Sequence, residues 1–115
     1  PVVMGEWGGL CPKKTDWFSH IDFVYSLIEQ NQWSSLYWNY YFENDEFVRL
    51  MNRPYPIAVC GDIISYRTDS NERKFFMEYK VSDDYVLAET QIYVPNKGVQ
   101  KFKSNYGINK IEISY

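Results

Sequence analysis

The sequence predicts a short α/β segment followed by an all-β domain, with the change near Pro56. Up to about residue 52, apolar runs alternate with stretches in which apolar residues recur at helical spacing, which is typical of a β-α-β-α order. From Ile57 onward, apolar and polar residues alternate with a period of two, which is typical of half-buried antiparallel strands. We therefore expect residues 1–56 and 57–115 to form separate units.

The first segment contains two predicted strands, each followed by a helix. The apolar run at residues 1–5 predicts a buried parallel strand, and ring-rich residues 35–42 predict a second one. Thr15 is a candidate N-cap for a helix that continues to about Gln32. The apolar stripe of that helix is formed by Trp17, Ile21, Val24 and Ile28. Two parallel strands with one crossover are only part of a sheet, and this order resembles the last quarter of a (β/α)8 barrel.

A short second helix should follow the second strand. Asn44 or Asp45 is its expected cap, and Phe47, Leu50 and Met51 share one face. The helix is expected to end at residues 53–56, because a residue that precedes proline is disfavoured in helical geometry.

The second segment predicts about five antiparallel strands in a small β-sandwich. They are expected at residues 63–67, 73–81, 85–94, 99–103 and 108–115, with turn signals at 68–71, 82–84, 95–98 and 104–107. The alternation is clearest in two strands. One strand faces inward with Phe75, Met77, Tyr79 and Val81, and the last strand does so with Ile111, Ile113 and Tyr115.

Composition excludes several classes of function. The chain has 115 residues and a net charge of −3, so it lacks the excess of basic residues that a nucleic-acid-binding face needs. No apolar run approaches the roughly 20 residues of a membrane-spanning helix. Aromatic residues make up 19% of the chain, and surfaces that bind sugars or partner proteins are a usual reason for such a surplus. A ring-rich core is the alternative explanation.

Cysteine and histidine counts narrow the chemistry further. Cys11 and Cys60 are far apart in the sequence; a single disulfide is one reading, and two free buried thiols are the one we favour. His20 is the only histidine and lies in the predicted helix, so a His-rich zinc site cannot be built. No glycine-rich phosphate loop occurs. These counts leave carboxylate chemistry or no chemistry.

Glu6 is the first candidate for such chemistry. It directly follows the first apolar run and precedes Trp7-Gly8-Gly9. In α/β barrels, catalytic groups lie at the carboxyl ends of the strands. Many glutamates at the end of a strand are merely solvated, which is the alternative for Glu6.

Four segments, in order, resemble glycoside hydrolase family 5. Residues 1–8 (PVVMGEWG) resemble the nucleophile motif on the seventh barrel strand, and residues 35–40 (SLYWNY) resemble the eighth strand. Residues 53–61 (RPYPIAVCG) resemble the junction at which endoglycoceramidases and related glycosylceramidases leave the barrel. Residues 89–95 (ETQIYVP) are similar to a strand of their C-terminal β-sandwich. Val99-Gln100 and Cys60 depart from the family pattern, away from the expected chemistry.

The resemblance implies a retaining β-glycosidase that hydrolyses the bond between glycan and ceramide in glycosphingolipids. Residues 1–56 would be the end of a TIM barrel with its seventh and eighth strands, and residues 57–115 the β-sandwich domain. Glu6 would be the nucleophile, and Trp38 would stack against the sugar. Trp7 would line the same pocket or, equally, pack beneath the strand. The resemblance therefore implies no metal and no cofactor, because such hydrolysis needs only carboxylates and water.

The acid/base residue is expected outside this chain. In this family it follows an asparagine at the end of the fourth barrel strand, whereas Asn71-Glu72, the only such pair here, lies in a polar turn. The resemblance therefore implies that the chain alone is inactive and that its partner is the N-terminal remainder of the barrel. A glycolipid or glycan substrate is expected, with peripheral membrane contact through that substrate, and a secreted, lumenal or vacuolar location is favoured.

Two alternatives stay open. The sandwich could be a non-catalytic module that binds carbohydrate or lipid. The enzyme could also act on a sterol glucoside or a β-glucan, because the residues that contact the aglycone are largely absent from this segment.

Overall fold

A computed structural model describes residues 2–8, 17–38 and 43–115, with the side chain of Trp17 excepted. These residues form two units, which divide between Asn52 and Arg53. Most of the regular structure is antiparallel β-sheet, and the described residues contain two helices. A complete TIM barrel is not evident among them.

The first unit has the expected β-α-β-α order. Its elements are β1 (Val3–Gly8), α1 (Trp17–Asn31), β2 (Ser34–Trp38) and α2 (Asp45–Met51). β1 and β2 pair in parallel, with α1 as the connection between them. β1 runs to Gly8 rather than ending at Gly5, so Glu6 and Trp7 lie within the strand instead of after it. Thr15, Cys11 and residues 39–42 of the expected second strand lie outside the described residues.

Local backbone chemistry sets the helix ends in this unit. Asn44 caps α2, because its side chain accepts a 2.8 Å hydrogen bond from the Phe47 N–H. α1 ends at Asn31, and the next residue, Gln32, adopts a left-handed conformation with φ of 54°. The N–H groups of Gln32 and Trp33 then bond to the carbonyls of Glu29 and Ile28, the arrangement of a Schellman motif.

The second unit is built from six antiparallel strands in two three-stranded sheets. The strands are β3 (Tyr55–Ala58), β4 (Asp62–Asp69), β5 (Lys74–Val81), β6 (Glu89–Val94), β7 (Gly98–Lys103) and β8 (Gly107–Ser114). One sheet has the order β3-β6-β7 and the other β4-β5-β8. One hydrophobic cluster contains side chains from both sheets, as in a sandwich.

The alternation in β5 and β8 predicted the inner face correctly. All four inward residues of β5 (Phe75, Met77, Tyr79 and Val81) are no more than 3% exposed, and Ile111 and Ile113 of β8 are also buried. Thr90, Ile92 and Val94 of β6 face them with no exposed surface.

Two parts of the sandwich differ from the expectation. Residues 55–58 form β3 although two prolines suggested only a helix end; β3 lies at the edge of its sheet, where a proline is tolerated because the missing N–H is not needed on the open side. The strand expected at 85–94 begins only at Glu89. Residues before it are held by Cys60, whose thiol donates to the Val86 carbonyl at 3.6 Å and accepts from the Ala88 N–H at 3.2 Å. Cys60 is a buried free thiol.

A buried chain of hydroxyl groups joins the two sheets. The Tyr79 hydroxyl lies 3.0 Å from Ser104 Oγ, which lies 3.2 Å from Thr90 Oγ1. Thr90 Oγ1 also accepts a 3.1 Å hydrogen bond from the Cys60 N–H. Because each of these groups is buried, the loss of one partner would leave a donor or acceptor of its neighbour unpaired, at a cost of about 1–3 kcal/mol.

We expect this chain of hydroxyls to be energetically coupled. Tyr79→Phe and Ser104→Ala should each lower the free energy of unfolding by about 1–2 kcal/mol, and together by about 1 kcal/mol less than the sum. Denaturant unfolding followed by circular dichroism measures the cycle. Tyr55→Phe, at an exposed position, is the control and should change stability by under about 0.5 kcal/mol. Strictly additive losses would contradict the coupling.

Gly61 supplies a second test of the sandwich. Its φ is 130°, and a Cβ there would lie 2.3 Å from the Lys80 carbonyl oxygen. Gly61→Ala should therefore cost about 3 kcal/mol. Gly98→Ala, with φ of 68° and open space around the added Cβ, should cost only about 1 kcal/mol.

The chain offers a way to separate the two units in this experiment. All four tryptophans precede residue 53, so tryptophan fluorescence reports the first unit, whereas amide exchange in β5 reports the sandwich. We expect Gly61→Ala to speed exchange in β5 more than Gly98→Ala does. Equal exchange rates in the two variants would show that the close approach of the Lys80 carbonyl is not the reason for glycine at position 61.

Candidate functional site

The two-stranded sheet of the first unit has one covered face and one open face. On the covered face, Trp7 and Tyr37 pack against residues of α1 and α2. On the open face, Leu36 is 62% exposed and Trp38 is 64% exposed. Apolar side chains of this size are seldom left exposed together unless they face a ligand or another part of a protein.

A bulge at Gly5 determines which face carries Glu6. Met4 is paired with Ser35, but the register then shifts, so Glu6 is paired with Leu36. Without the extra residue, Glu6 would be opposite Tyr37 and would belong to the covered face. Bulges commonly redirect a side chain in this way.

Glu6 and Trp38 therefore share the open face of the sheet. Glu6 is exposed and lies opposite Leu36, while Trp38 lies two residues further along β2, opposite Gly8. Among the residues that form the two strands, Glu6 alone carries a carboxylate. A carboxylate beside an exposed indole can present a charge and an apolar plate to the same ligand.

Trp7 lies on the covered face, where it packs edge-on against two tyrosines. Its ring centroid is 4.8 Å from that of Tyr37 and 5.4 Å from that of Tyr25, with the ring planes nearly perpendicular. Tyr37 in turn lies 5.3 Å from Phe47 of α2. Of the two roles left open for Trp7, this position favours support of the strand from behind.

Gly8 brings the ends of the two strands close together. Its φ is 127°, and a Cβ there would lie 2.3 Å from the Trp38 carbonyl oxygen. Glycine is therefore required at this position beside Trp38.

Three carboxylate residues outside β1 and β2 lie at a helix end or in a turn. Asp45 and Glu46 are in the first turn of α2, where negative charge is favourable to the helix dipole. Glu72 is in the turn between β4 and β5, where its N–H bonds to the Asp69 side chain at 2.9 Å. Within the described ranges, no group of three or more His, Cys, Asp and Glu side chains could hold a metal ion. His20 is an exposed residue of α1.

A tyrosine and a carboxylate interact in the second unit. The Tyr85 hydroxyl donates a 2.7 Å hydrogen bond to the Asp62 carboxylate. This bond, together with the negative charge of Asp62, raises the pKa of Tyr85. Because both groups are exposed, we interpret the pair as an anchor for the loop before β6 rather than as a reactive centre.

Neither described helix has the length and apolar character that crossing a bilayer would require.

Comparison with known proteins gives a family match over the second unit. The family described as "Glycoside hydrolase family 5 C-terminal domain" matches residues 53–113. No curated protein sequence gives a significant match.

Solved structures share the fold over nearly the whole chain. Endo-glycoceramidase II from Rhodococcus sp. superposes with a TM-score of 0.82 and 17% identity over 99% of this chain and 33% of that protein. A second structure of that enzyme, a lactosyl-enzyme intermediate, gives a TM-score of 0.80 at 18% identity, with 99% of this chain and 33% of that protein covered. Sterylglucosidase 1 from Cryptococcus neoformans gives 0.70 at 13% identity over 96% of this chain and 28% of that protein.

The chain thus spans about a third of the length of these enzymes. At such low identity the superpositions show a common fold. The family assignment comes from the sequence match, which covers more than half of the chain and most of the sandwich. This protein belongs to the family of the glycoside hydrolase family 5 C-terminal domain and resembles endoglycoceramidase in its fold.

Proposed function

We propose that this chain is the C-terminal part of a retaining β-glycosidase that cleaves the bond between the glycan and the ceramide of a glycosphingolipid. The observation that carries the proposal is the position of Glu6 and Trp38 on the open face of β1 and β2. In the whole enzyme, residues 1–56 would close the barrel, and this open face would line the barrel interior. Residues 57–115 would be the attached sandwich domain.

Glu6 is the nucleophile in this proposal. Its carboxylate attacks the anomeric carbon, the bond to the aglycone oxygen breaks, and a covalent glycosyl-enzyme forms. A second carboxylic acid protonates the departing oxygen and then, as a carboxylate, removes a proton from the water that releases the sugar. Support comes from the solved lactosyl-enzyme intermediate of endo-glycoceramidase II, whose fold this chain shares.

Trp38 acts as the sugar platform. Its indole is 64% exposed on the face that carries Glu6, and the apolar C–H face of a pyranose stacks well on such a ring. The side chain of Trp7 is on the opposite face of β1 from Glu6. It would hold β1 in place through its edge-on contacts with Tyr25 and Tyr37. Neither role needs a cofactor.

The acid/base residue would come from the N-terminal remainder of the barrel. The two carboxylates of a retaining enzyme lie about 5–5.5 Å apart across the scissile bond, and Glu6 is the sole carboxylate in β1 and β2. The partners proposed for this chain are thus the rest of the barrel and a glycolipid, with membrane contact only through that substrate.

A sterol glucoside is the second candidate substrate. The fold likeness to sterylglucosidase 1 favours it, and Glu6 and Trp38 would perform the same steps on either aglycone. Assay of the whole enzyme on lactosylceramide and on a sterol glucoside distinguishes the two.

Glu6→Gln in the whole enzyme should lower kcat by at least about four orders of magnitude, because an amide cannot form the glycosyl ester. An activated 2-deoxy-2-fluoro glycoside should label Glu6 in the unaltered enzyme, as read by mass spectrometry of the digested protein. Glu46→Gln, which removes an exposed carboxylate of α2, is the matched control and should keep its activity. A modest loss with Glu6→Gln, or a label on another residue, would remove Glu6 from this role.

The 115-residue chain alone should not release sugar from either glycolipid. It supplies only one of the two carboxylates, so turnover should stay at the level of a Glu6→Gln sample of the same chain, measured by chromatography of the released glycan. Turnover that depends on Glu6 would show that both carboxylates are present here. That result would contradict the proposed division of the site.

A further inference from the structure

The outer face of the β4-β5-β8 sheet contains a groove of about 380 Å³ that the proposed hydrolysis does not use. A volume of this size falls within the range of small-molecule sites. Its lining residues are Ser65, Tyr66, Arg67, Phe76, Met77, Glu78, Lys110, Ile111 and Glu112. The groove belongs to the sandwich alone.

The sheet register arranges its outward side chains in two rows of three. Arg67, Phe76 and Glu112 lie opposite one another in the first row. The second row consists of Ser65, Glu78 and Lys110.

A bulge in β4 produces this arrangement. The register shifts between Ile63 and Ser65, so Ser65 pairs with Glu78. Without the shift, Ser65 would oppose Met77, whose side chain belongs to the core. Arg67 would likewise lose its place opposite Phe76. The bulge therefore brings the polar residues of β4 onto the outer face.

Arg67 is the distinctive group in the groove. Its guanidinium carbon lies 4.2 Å from the centre of the Phe76 ring, which holds the flat group over the ring face. Lys110 pairs with Glu78 at 3.3 Å, and Lys74 pairs with Glu112 at 3.8 Å. Arg67 makes no ion pair with any residue that the structure describes.

These contacts define the chemistry of a ligand. Because Arg67 covers a face of Phe76, that face is not open for a sugar to stack on, and recognition must rely on polar groups. One guanidinium without an acidic partner suits one carboxylate, which it can bind with two parallel hydrogen bonds. The carboxylates of Glu78 and Glu112 can accept hydrogen bonds from hydroxyl groups. Since each of them is paired with a lysine, Arg67 adds a single positive charge, which matches one carboxylate better than a doubly charged phosphate.

We propose that this groove binds a sugar acid, with the sugar carboxylate on Arg67 and its hydroxyl groups on Ser65, Glu78 and Glu112. The site is independent of the proposed hydrolysis, because none of its residues belongs to the first unit. A binding experiment on the sandwich can therefore fail or succeed whatever the activity of Glu6.

Titration of the ¹⁵N-labelled chain with 3′-sialyllactose tests the proposal, with lactose as the neutral control and inorganic phosphate as the simple anion. We expect amide shifts at Ser65–Arg67, Phe76–Glu78 and Lys110–Glu112 with millimolar affinity. At matched ionic strength, lactose and phosphate should each bind at least about tenfold more weakly, since lactose lacks the carboxylate and phosphate lacks the sugar hydroxyl groups.

Substitution of Arg67 supplies the matched variants. Arg67→Gln should abolish the shifts, and Arg67→Lys should weaken binding by about tenfold, because lysine keeps the charge but loses the paired donors. Lys101→Gln, in an exposed pair with Glu89 on the other sheet, should bind as the unaltered chain does. Shifts that persist in Arg67→Gln, equal binding of lactose or phosphate, or no shifts at about 20 mM sialyllactose would each overturn the proposal.

Discussion

Successive side chains of a β-strand point to opposite faces, so a sheet that buries one face must leave the other to solvent, a ligand or another element. Both units of this protein follow that constraint. In the sandwich, two sheets bury their inner faces against each other and keep charged residues outside. In the first unit, helices cover one face of β1 and β2 and leave Glu6 and Trp38 on the other.

Where a bulge interrupts the alternation, it moves polar side chains onto the uncovered face of the sheet. The bulge at Gly5 moves Glu6 from the helix-covered face to the open one, and the bulge at Ile64 moves Ser65 and Arg67 from the core side of β4 to its outer side. In each case a single extra residue reverses the face of everything that follows it in the strand. The two candidate sites of this protein thus depend on the same local device.

Sequence reasoning succeeded where the pattern was regular. The strict alternation in β5 and β8 predicted the inner face, and Asn44 was one of two residues expected to cap α2. It failed where contacts with distant residues decided the outcome. β3 contains Pro56 because it is an edge strand, and the backbone before β6 is hydrogen-bonded to the Cys60 thiol instead of to a strand. For Glu6, the resemblance suggested the residue, but the face it occupies depends on a bulge that no single-sequence pattern indicates.

The candidate residues of this chain bear on the sugar side of the proposed reaction and not on the aglycone side. Glu6 and Trp38 would act on the reacting sugar ring, which a ceramide glycoside and a sterol glucoside have in common. The leaving group lies on the side of the acid/base residue, because that residue protonates its oxygen. In the proposed enzyme, a segment with Glu6 as nucleophile and Trp38 as sugar platform, but without the acid, would therefore form the glycosyl half of the site. The residues that select ceramide or sterol would then lie, with the acid/base residue, in the N-terminal remainder of the proposed barrel.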